Sequence, residues 1–368
     1  MLLKAAIVSL AVVFLYPASG AGALRAQQTA GATTAASASE ASYPSNPKAI
    51  AALQQAWRLE QQHQSGTAIG AYKKANKLAG GACVVCLSGL YRAQMAQGDY
   101  KGAVRSAAAM EAVGESPLVK SVAAYDQGRA LMAQGGDQPR PEQLEQARAA
   151  YREAVELDPQ NVSALFNEGE VLVRMGRTDQ GRKDFQLCLS TLHPGDPAWL
   201  RVKHFADDPE LAVQKMAPAF EVTALNGTTF NLDAMRGKVV LIDFWATWCG
   251  PCKKDLPYLK KIAREFAGQP LVMISVSLDS DEAAWREFIR KNEMTWLQYR
   301  DVDHKLAGEF GVTAIPHYFT IDSDGVLTSE SIGSGSHLED RLRKLIARAE
   351  RASQERAAAT APAAARTP

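Results

Sequence analysis

Cys249 and Cys252 are the residues whose type and spacing point most directly to chemistry. They lie in Trp248-Cys249-Gly250-Pro251-Cys252, after the β-branched, apolar run Val239-Val240-Leu241-Ile242 and before a stretch, Lys253 to Phe266, patterned as a helix. A Cys-x-x-Cys where a strand turns into a helix is the layout of a dithiol redox site. The first turn of such a helix leaves backbone N–H groups unpaired, and its dipole favours negative charge. A thiolate is the nucleophile of disulfide exchange, so this location favours it. Two intervening residues let the second sulfur reach the first, and the Cys249–Cys252 disulfide then does the work of a cofactor. A zinc site is the competing reading. It lacks a second Cys or His ligand pair at suitable spacing, so no metal is expected.

Asp243 stands out in the strand that feeds this motif. It interrupts an apolar run that should be buried on both faces. A buried, unpaired carboxylate is costly, by roughly several kcal/mol, and tends to bind a proton instead. Asp255 comes three residues after Cys252 and so shares its helix face.

The segment Asp243-Phe244-Trp245-Ala246-Thr247-Trp248-Cys249-Gly250-Pro251-Cys252-Lys253 resembles the active-site segment of the thioredoxin family. The resemblance spans Ala217 to Glu350 and is closest to the TlpA/ResA-like group of extracytoplasmic thiol-disulfide oxidoreductases. Those also open with an "AP-F" segment, here Ala217-Pro218-Ala219-Phe220, and a short hairpin, here Glu221 to Leu232 turning at Asn226-Gly227. The resemblance implies that Cys249 attacks and Cys252 resolves, with Gly250-Pro251 limiting the turn and favouring a reducing dithiol. It makes Asp243 the buried acid that shuttles protons to the resolving cysteine, although TlpA/ResA-like proteins often carry Asn there. It gives Asp255 a part in tuning the thiol, with a solvated surface acid as the alternative. Which acid handles the proton stays open. It also implies a cis-proline, Pro316, opposite the active-site helix, exposing the Ile315 backbone to an extended client. His317 stands where the family often has Thr, and is either a client contact or a solvent-facing strand residue. Trp248 and Trp245 would shield the site from water, with a purely core role as the alternative for Trp245.

These residues need a scaffold. The pattern predicts strands at Val239–Trp245 and Leu271–Ser277, and a helix from about Pro251 to Phe266, kinked at Pro257. A helix at Asp281–Asn292 and a short one at Asp303–Phe310 come next. Strands His317–Ile321 and Leu327–Ile332 meet at Asp324-Gly325, and helix Leu338–Arg348 closes the domain. The expected result is an α/β thioredoxin-like fold, a central mixed sheet flanked by helices.

A repeat precedes it. Ala68-x3-Tyr72-x2-Ala75, Ala147-x3-Tyr151-x2-Ala154-x4-Pro159 and Gly181-x3-Phe185-x2-Cys188 nearly superpose, and Ala103 opens a weaker copy containing Gly98-Asp99-Tyr100. The starts are 35, 44 and 34 residues apart, the long interval holding an insertion at Gly135–Pro141. A period of about 34 resembles the tetratricopeptide repeat (TPR), as do Gly169 and Gly176. An α-helical solenoid of four helix pairs is therefore expected over residues 47–192. Its concave face would take a protein or peptide; a spacer without a ligand is the alternative. Cys83-Val84-Val85-Cys86 sits at the entry to a repeat helix with no preceding strand. No His comes after Cys86, so a haem-attachment pattern fails, and a structural disulfide or two packed thiols are expected. Cys188 holds a repeat position usually given to Ala and reads as a small buried apolar group.

The ends and the composition bound the rest. Lys4, the apolar stretch Ala5 to Tyr16 and small residues through Ala26 form a signal-peptide pattern over residues 1–26, with an uncleaved anchor as the alternative. Cleavage is expected before Gln27, or near Ala18-Ser19-Gly20. No cysteine lies near for a lipoprotein anchor. An exported, periplasmic or extracytoplasmic protein meets an oxidising compartment, and five cysteines leave one unpaired. Residues 27–46 and 193–216 read as linkers, residues 217–350 as the redox domain and 351–368 as a disordered tail. A net charge of +1 gives no pull toward nucleic acid. The function expected is reduction of protein disulfides, with disulfide or dithiol proteins as clients and a membrane electron donor. The alternatives are a peroxiredoxin-like peroxidase, for which Thr247 stands one place off the Pro-x3-Thr-x2-Cys pattern, and a TPR scaffold with a redox-sensing domain.

Overall fold

Small residues under aromatic rings set the packing of the amino-terminal half. The computed structural model describes residues 43–333 and 338–360. The signal-peptide pattern and most of the first expected linker lie outside them. Eight helices run in series: α1 (Pro47–Gln61), α2 (Ser65–Leu78), α3 (Val84–Ala96), α4 (Tyr100–Val113), α5 (Pro117–Gly135), α6 (Pro141–Leu157), α7 (Val162–Arg174) and α8 (Thr178–Thr191). The repeat's aromatic residue lies each time against a glycine of a neighbouring helix. A methyl group at Gly89 would come within 2.2 Å of the Tyr72 ring, one at Gly128 within 2.5 Å of Tyr151, and one at Gly169 within 2.7 Å of Phe185. Ring over glycine lets the backbones approach closely, which is why the repeat spaces small and large residues on one face. Gly176 has φ +75° and makes the left-handed turn between α7 and α8.

Three expected boundaries are corrected. Residues 43–46 do not act as linker: Tyr43 packs on Trp57, and the Asn46 side chain accepts the Lys48 N–H at 3.0 Å to cap α1. Residues 193–216 carry helix α9 (Trp199–Asp207) and a 3-10 turn, Pro209–Val213. Val202 and Phe205 are fully buried, Phe205 lying 5.0 Å from the Phe166 ring and 5.5 Å from Phe185. This segment caps the array because its apolar residues complete the last repeat's core. It also joins the array to the carboxy-terminal domain. The Arg201 guanidinium, 2% exposed, donates to Asp233 at 2.9–3.2 Å and to the Ala217 carbonyl at 2.9 Å. The tail is corrected by helix α13 (Leu338–Thr360), which continues ten residues past 350; residues 361–368 lie outside the described ones.

The carboxy-terminal part begins with a hairpin of β1 (Glu221–Thr223) and β2 (Thr229–Asn231). Next comes a five-stranded sheet in the order β5-β4-β3-β6-β7. Its strands are β3 (Val239–Trp245), β4 (Leu271–Ser277), β5 (Leu297–Arg300), β6 (His317–Ile321) and β7 (Leu327–Ile332). β3 runs parallel to β4 and antiparallel to β6, so the sheet is mixed. Every residue of β3 is buried, as a central strand covered on both faces requires. Val239 and Leu241 pack under α10 (Gly250–Glu265) and α13. Val240, Ile242 and Phe244 pack with Phe319 and with Phe310, just past the short helix α12 (Lys305–Glu309). Helix α11 (Glu282–Lys291) sends Trp285 and Ile289 toward the Cys249–Cys252 end. The edge strand β5 has no counterpart among the strands expected from the sequence.

Candidate redox site

The sheet's β3 delivers the chain to a turn that is held from below. The Thr247 N–H donates to both Asp279 carboxylate oxygens at 3.0–3.1 Å, and its hydroxyl donates at 2.7 Å. The Ser277 hydroxyl donates to the same carboxylate at 2.7 Å. Asp279, 3% exposed, thus fixes the approach to Cys249. Thr247 and Asp279 are thirty-two residues apart in the chain, and no local pattern marks Asp279 as part of the site.

Cys249 is the N-cap of α10, and Pro251 occupies the helix's first turn. Cys249 Sγ accepts the Cys252 N–H at 3.2 Å and is joined to Cys252 in a disulfide. The unpaired N–H groups of the first turn therefore face the sulfur that must bear negative charge. Across the site, the Ile315 carbonyl lies 3.8 Å from Cys249 Sγ, and the Ile315–Pro316 peptide bond is cis. Trp248, 66% exposed, stands beside Cys249 with exposed Gly250 and Pro251. Trp245 is buried and packs 5.3 Å from the Phe288 ring, so it belongs to the core beneath the site.

Asp243 lies under Cys252. It is 2% exposed and accepts the Ser275 hydroxyl at 2.5 Å; Ser275 in turn accepts the Trp296 indole N–H at 2.6 Å. Burial pushes the Asp243 carboxyl up to about 7, against the opposing pull of the Ser275 hydrogen bond. A cavity of about 10 Å³ lies between Asp243, Cys252, Lys253, Leu256 and Tyr318. That is about the space of one water molecule. Asp255, half-buried, accepts the Tyr318 hydroxyl at 2.9 Å. Burial, reinforced by the Asp243 and Asp255 charges, raises the Tyr318 hydroxyl, which stays protonated.

His317 departs from both expectations. It is 2% exposed, stacks 4.3 Å from the Phe319 ring and keeps its nearest acid, Glu330, at 4.0 Å. Strand alternation turns it to the face opposite Tyr318, away from solvent and from any client surface. Burial holds its imidazole below the usual range.

The second motif has the same local geometry. Cys83 is the N-cap of α3, its Sγ accepts the Cys86 N–H at 3.2 Å, and the two form a disulfide. The pair is packed into an apolar cluster with Leu53, Tyr72 and Leu90, and the Asn76 side chain accepts the Cys83 N–H at 3.1 Å. Cys188 is an unpaired, buried cysteine whose thiol is raised by burial, in line with a packing role. Among the described residues there is no cluster fit to hold a metal ion, and no helix is long and apolar enough to cross a membrane.

Known proteins resemble both halves of the chain. A model of the AhpC/TSA family matches residues 213–330, and a TPR repeat model matches residues 142–176. The thiol-disulfide oxidoreductase ResA of Bacillus thuringiensis (strain Al Hakam) is 32% identical over 143 residues, 38% of this chain and 83% of that protein. The ResA of Bacillus subtilis (strain 168) is 27% identical over 130 residues, 35% and 73% of the two chains. Among solved structures, the thioredoxin domain of a thiol-disulfide oxidoreductase from Bacteroides vulgatus is 27% identical, with a TM-score of 0.34 over 36% of this chain and 97% of that one.

Proposed function

The chain belongs to the TlpA/ResA-like family of thiol-disulfide oxidoreductases, and from this premise we propose that it reduces disulfides of exported proteins through Cys249 and Cys252. The Cys249 thiolate attacks a client disulfide, forming a mixed disulfide and releasing one client thiolate, which takes up a proton. The Cys252 thiol then gives its proton to Asp243 and attacks Cys249 Sγ. The Cys249–Cys252 disulfide forms, the second client thiolate leaves and is protonated, and two electrons have passed to the client. The Ile315 backbone, with Trp248, Gly250 and Pro251, offers the client an extended docking edge. The cis-proline, Pro316, sets the direction of the Ile315 carbonyl.

The observation that carries this reading is that the buried Asp243 carboxyl and Cys252 line one small cavity; burial pushes that carboxyl up to about 7. A group poised near neutrality takes and returns a proton with little driving force lost either way. A simple structural disulfide has no use for it. Asp255 lies three residues past Cys252 on the same helix and accepts the Tyr318 hydroxyl at 2.9 Å.

The other features fit an exported enzyme with a partner-binding array. A leader over residues 1–26 would take the chain out of the cytoplasm, where a membrane electron donor reduces Cys249–Cys252 again. The TPR array would hold clients, raising their effective concentration at Cys249. In a Cys252→Ser protein, mixed disulfides persist; the trapped partners should change when residues 47–192 are removed, and an identical set would leave the array as a spacer. The direction of electron flow is tested by the reduction potential of the Cys249–Cys252 pair. A reductant sits near about −270 mV and a strong oxidant near about −120 mV. Peroxide consumption outpacing protein-disulfide reduction would instead favour the peroxidase reading suggested by the match to the AhpC/TSA family.

A further inference from the structure

Asp243 and Cys252 are 2% and 5% exposed, so a proton passed between them is shut away from water. Asp243 can hand it back to Cys252 on re-reduction, but a carboxyl poised near 7 must also exchange its proton with solvent to be ready as an acceptor, and that needs a route. Besides those two, the polar groups around the cavity are Lys253, Tyr318 and the Trp245 indole N–H, which only donates. A charged ammonium has no lone pair to accept a proton. Ser275 is closed as an exit: its hydrogen goes to Asp243, and its oxygen faces an indole N–H, which only donates. Tyr318 remains. It is the register partner of Asp243 across β3 and β6, so the two side chains stand side by side on one face. Its hydroxyl donates to Asp255, which leaves the oxygen's lone pairs for the Asp243 side. Asp255 is half-buried and reaches solvent.

We propose that Tyr318 is a positioning residue that passes the Asp243 proton outward to Asp255, so that the two acids act in series rather than as alternatives. This rests on the Cys249–Cys252 exchange proposed above. One proton moves onto the Tyr318 oxygen, directly or across a single water, as the hydroxyl's own proton moves to the Asp255 carboxylate. No charge is left on the phenol. The upward push on the Tyr318 hydroxyl fits this, since the residue must remain a neutral donor. The other titratable groups facing this path are Lys253 and Tyr258 on α10. Tyr258 accepts the Glu339 N–H at 3.0 Å, and the Glu339 carboxylate is turned outward to Lys261 at 2.7 Å.

The test is rapid mixing of the reduced full chain with a protein disulfide between pH 5 and 9, measuring attack and resolution separately. Tyr318→Phe keeps the ring in the core and removes only the hydroxyl. Attack by Cys249 is expected to be unchanged. Resolution should slow on the order of tenfold, less than the roughly 10²–10⁴ typical of a group that takes the proton directly. Its solvent isotope effect should fall. Asp255→Asn, a change at a half-exposed site, should give the same loss alone and none beyond it when combined with Tyr318→Phe. Resolution that matches the unmodified protein at every pH in Tyr318→Phe, or losses that multiply in the double variant, would overturn the relay while leaving the exchange reading intact. Failure of Cys249 to attack in the unmodified protein would overturn both.

Discussion

Cys83–Cys86 and Cys249–Cys252 begin alike. Each pair spans the first turn of a helix, each first cysteine is the N-cap, and each accepts the second cysteine's N–H at 3.2 Å. The helix dipole is worth about 0.3–1 kcal/mol to a thiolate in such a place, under one pKa unit, and it acts on both. What differs is everything around the ring. Gly250 and Pro251 are exposed beside Trp248, whereas Val84 is buried and Val85 half-buried. Cys249 faces the Ile315 carbonyl and Cys252 sits over Asp243, whereas Cys83–Cys86 is embedded among Leu53, Tyr72 and Leu90. A helix start makes a thiolate easier to form; a docking edge and a proton acceptor make a redox site.

The comparison is broken most severely at Cys249. Cys249→Ser should lower protein-disulfide reduction by about a thousandfold or more, the scale on which loss of a nucleophile is felt. A turnover assay with a dithiol donor checks it.

Asp243→Asn should come next, slowing resolution by roughly a hundredfold while attack is retained. The same change carries a stability signature. The folded carboxyl is raised from 3.8 to about 7, so the folded state holds the proton more tightly than the unfolded one. The contribution of this group to native stability is therefore fully present below about pH 4 and is lost as pH rises through about 7. Asp243→Asn should remove that fall, a gain of up to roughly 4 kcal/mol at pH 8 and little at pH 4. Denaturant melts of both proteins at the two pH values check it.

Cys83→Ser with Cys86→Ser should have the smallest effect on chemistry, leaving turnover within about twofold. Closing so short a loop is worth about 2 kcal/mol, so the loss should appear in stability instead. Chemical unfolding monitored at the array's helices checks it.

The redox motif is legible in the sequence because its information is local: an apolar strand, a Cys-x-x-Cys and a helix lie in one continuous run. The repeat is legible because a ring over a small residue recurs at a fixed interval. Long-range partners are not. Asp279 and Thr247 meet across thirty-two residues, and Tyr318 and Asp255 across sixty-three. Helix α9 reads as linker because Arg201, Lys203 and His204 break its apolar pattern, yet Arg201 is buried against Asp233 of the next domain. β5 escapes notice because four residues of mixed polarity carry no clear alternation. The burial of His317 is hidden because nothing local marks which face of β6 a strand-starting residue takes.

Mapping the redox state of all five cysteines during reaction shows most directly whether one pair turns over while the other does not. The full chain is reduced under mild conditions and mixed with a protein disulfide. Free thiols are then alkylated at intervals and located by mass spectrometry. Cys249 and Cys252 should pass from alkylated to protected in step with client reduction. Cys83 and Cys86 should remain a disulfide throughout, and Cys188 a buried thiol. Labelling of Cys83 and Cys86 that rises and falls with turnover would contradict the account.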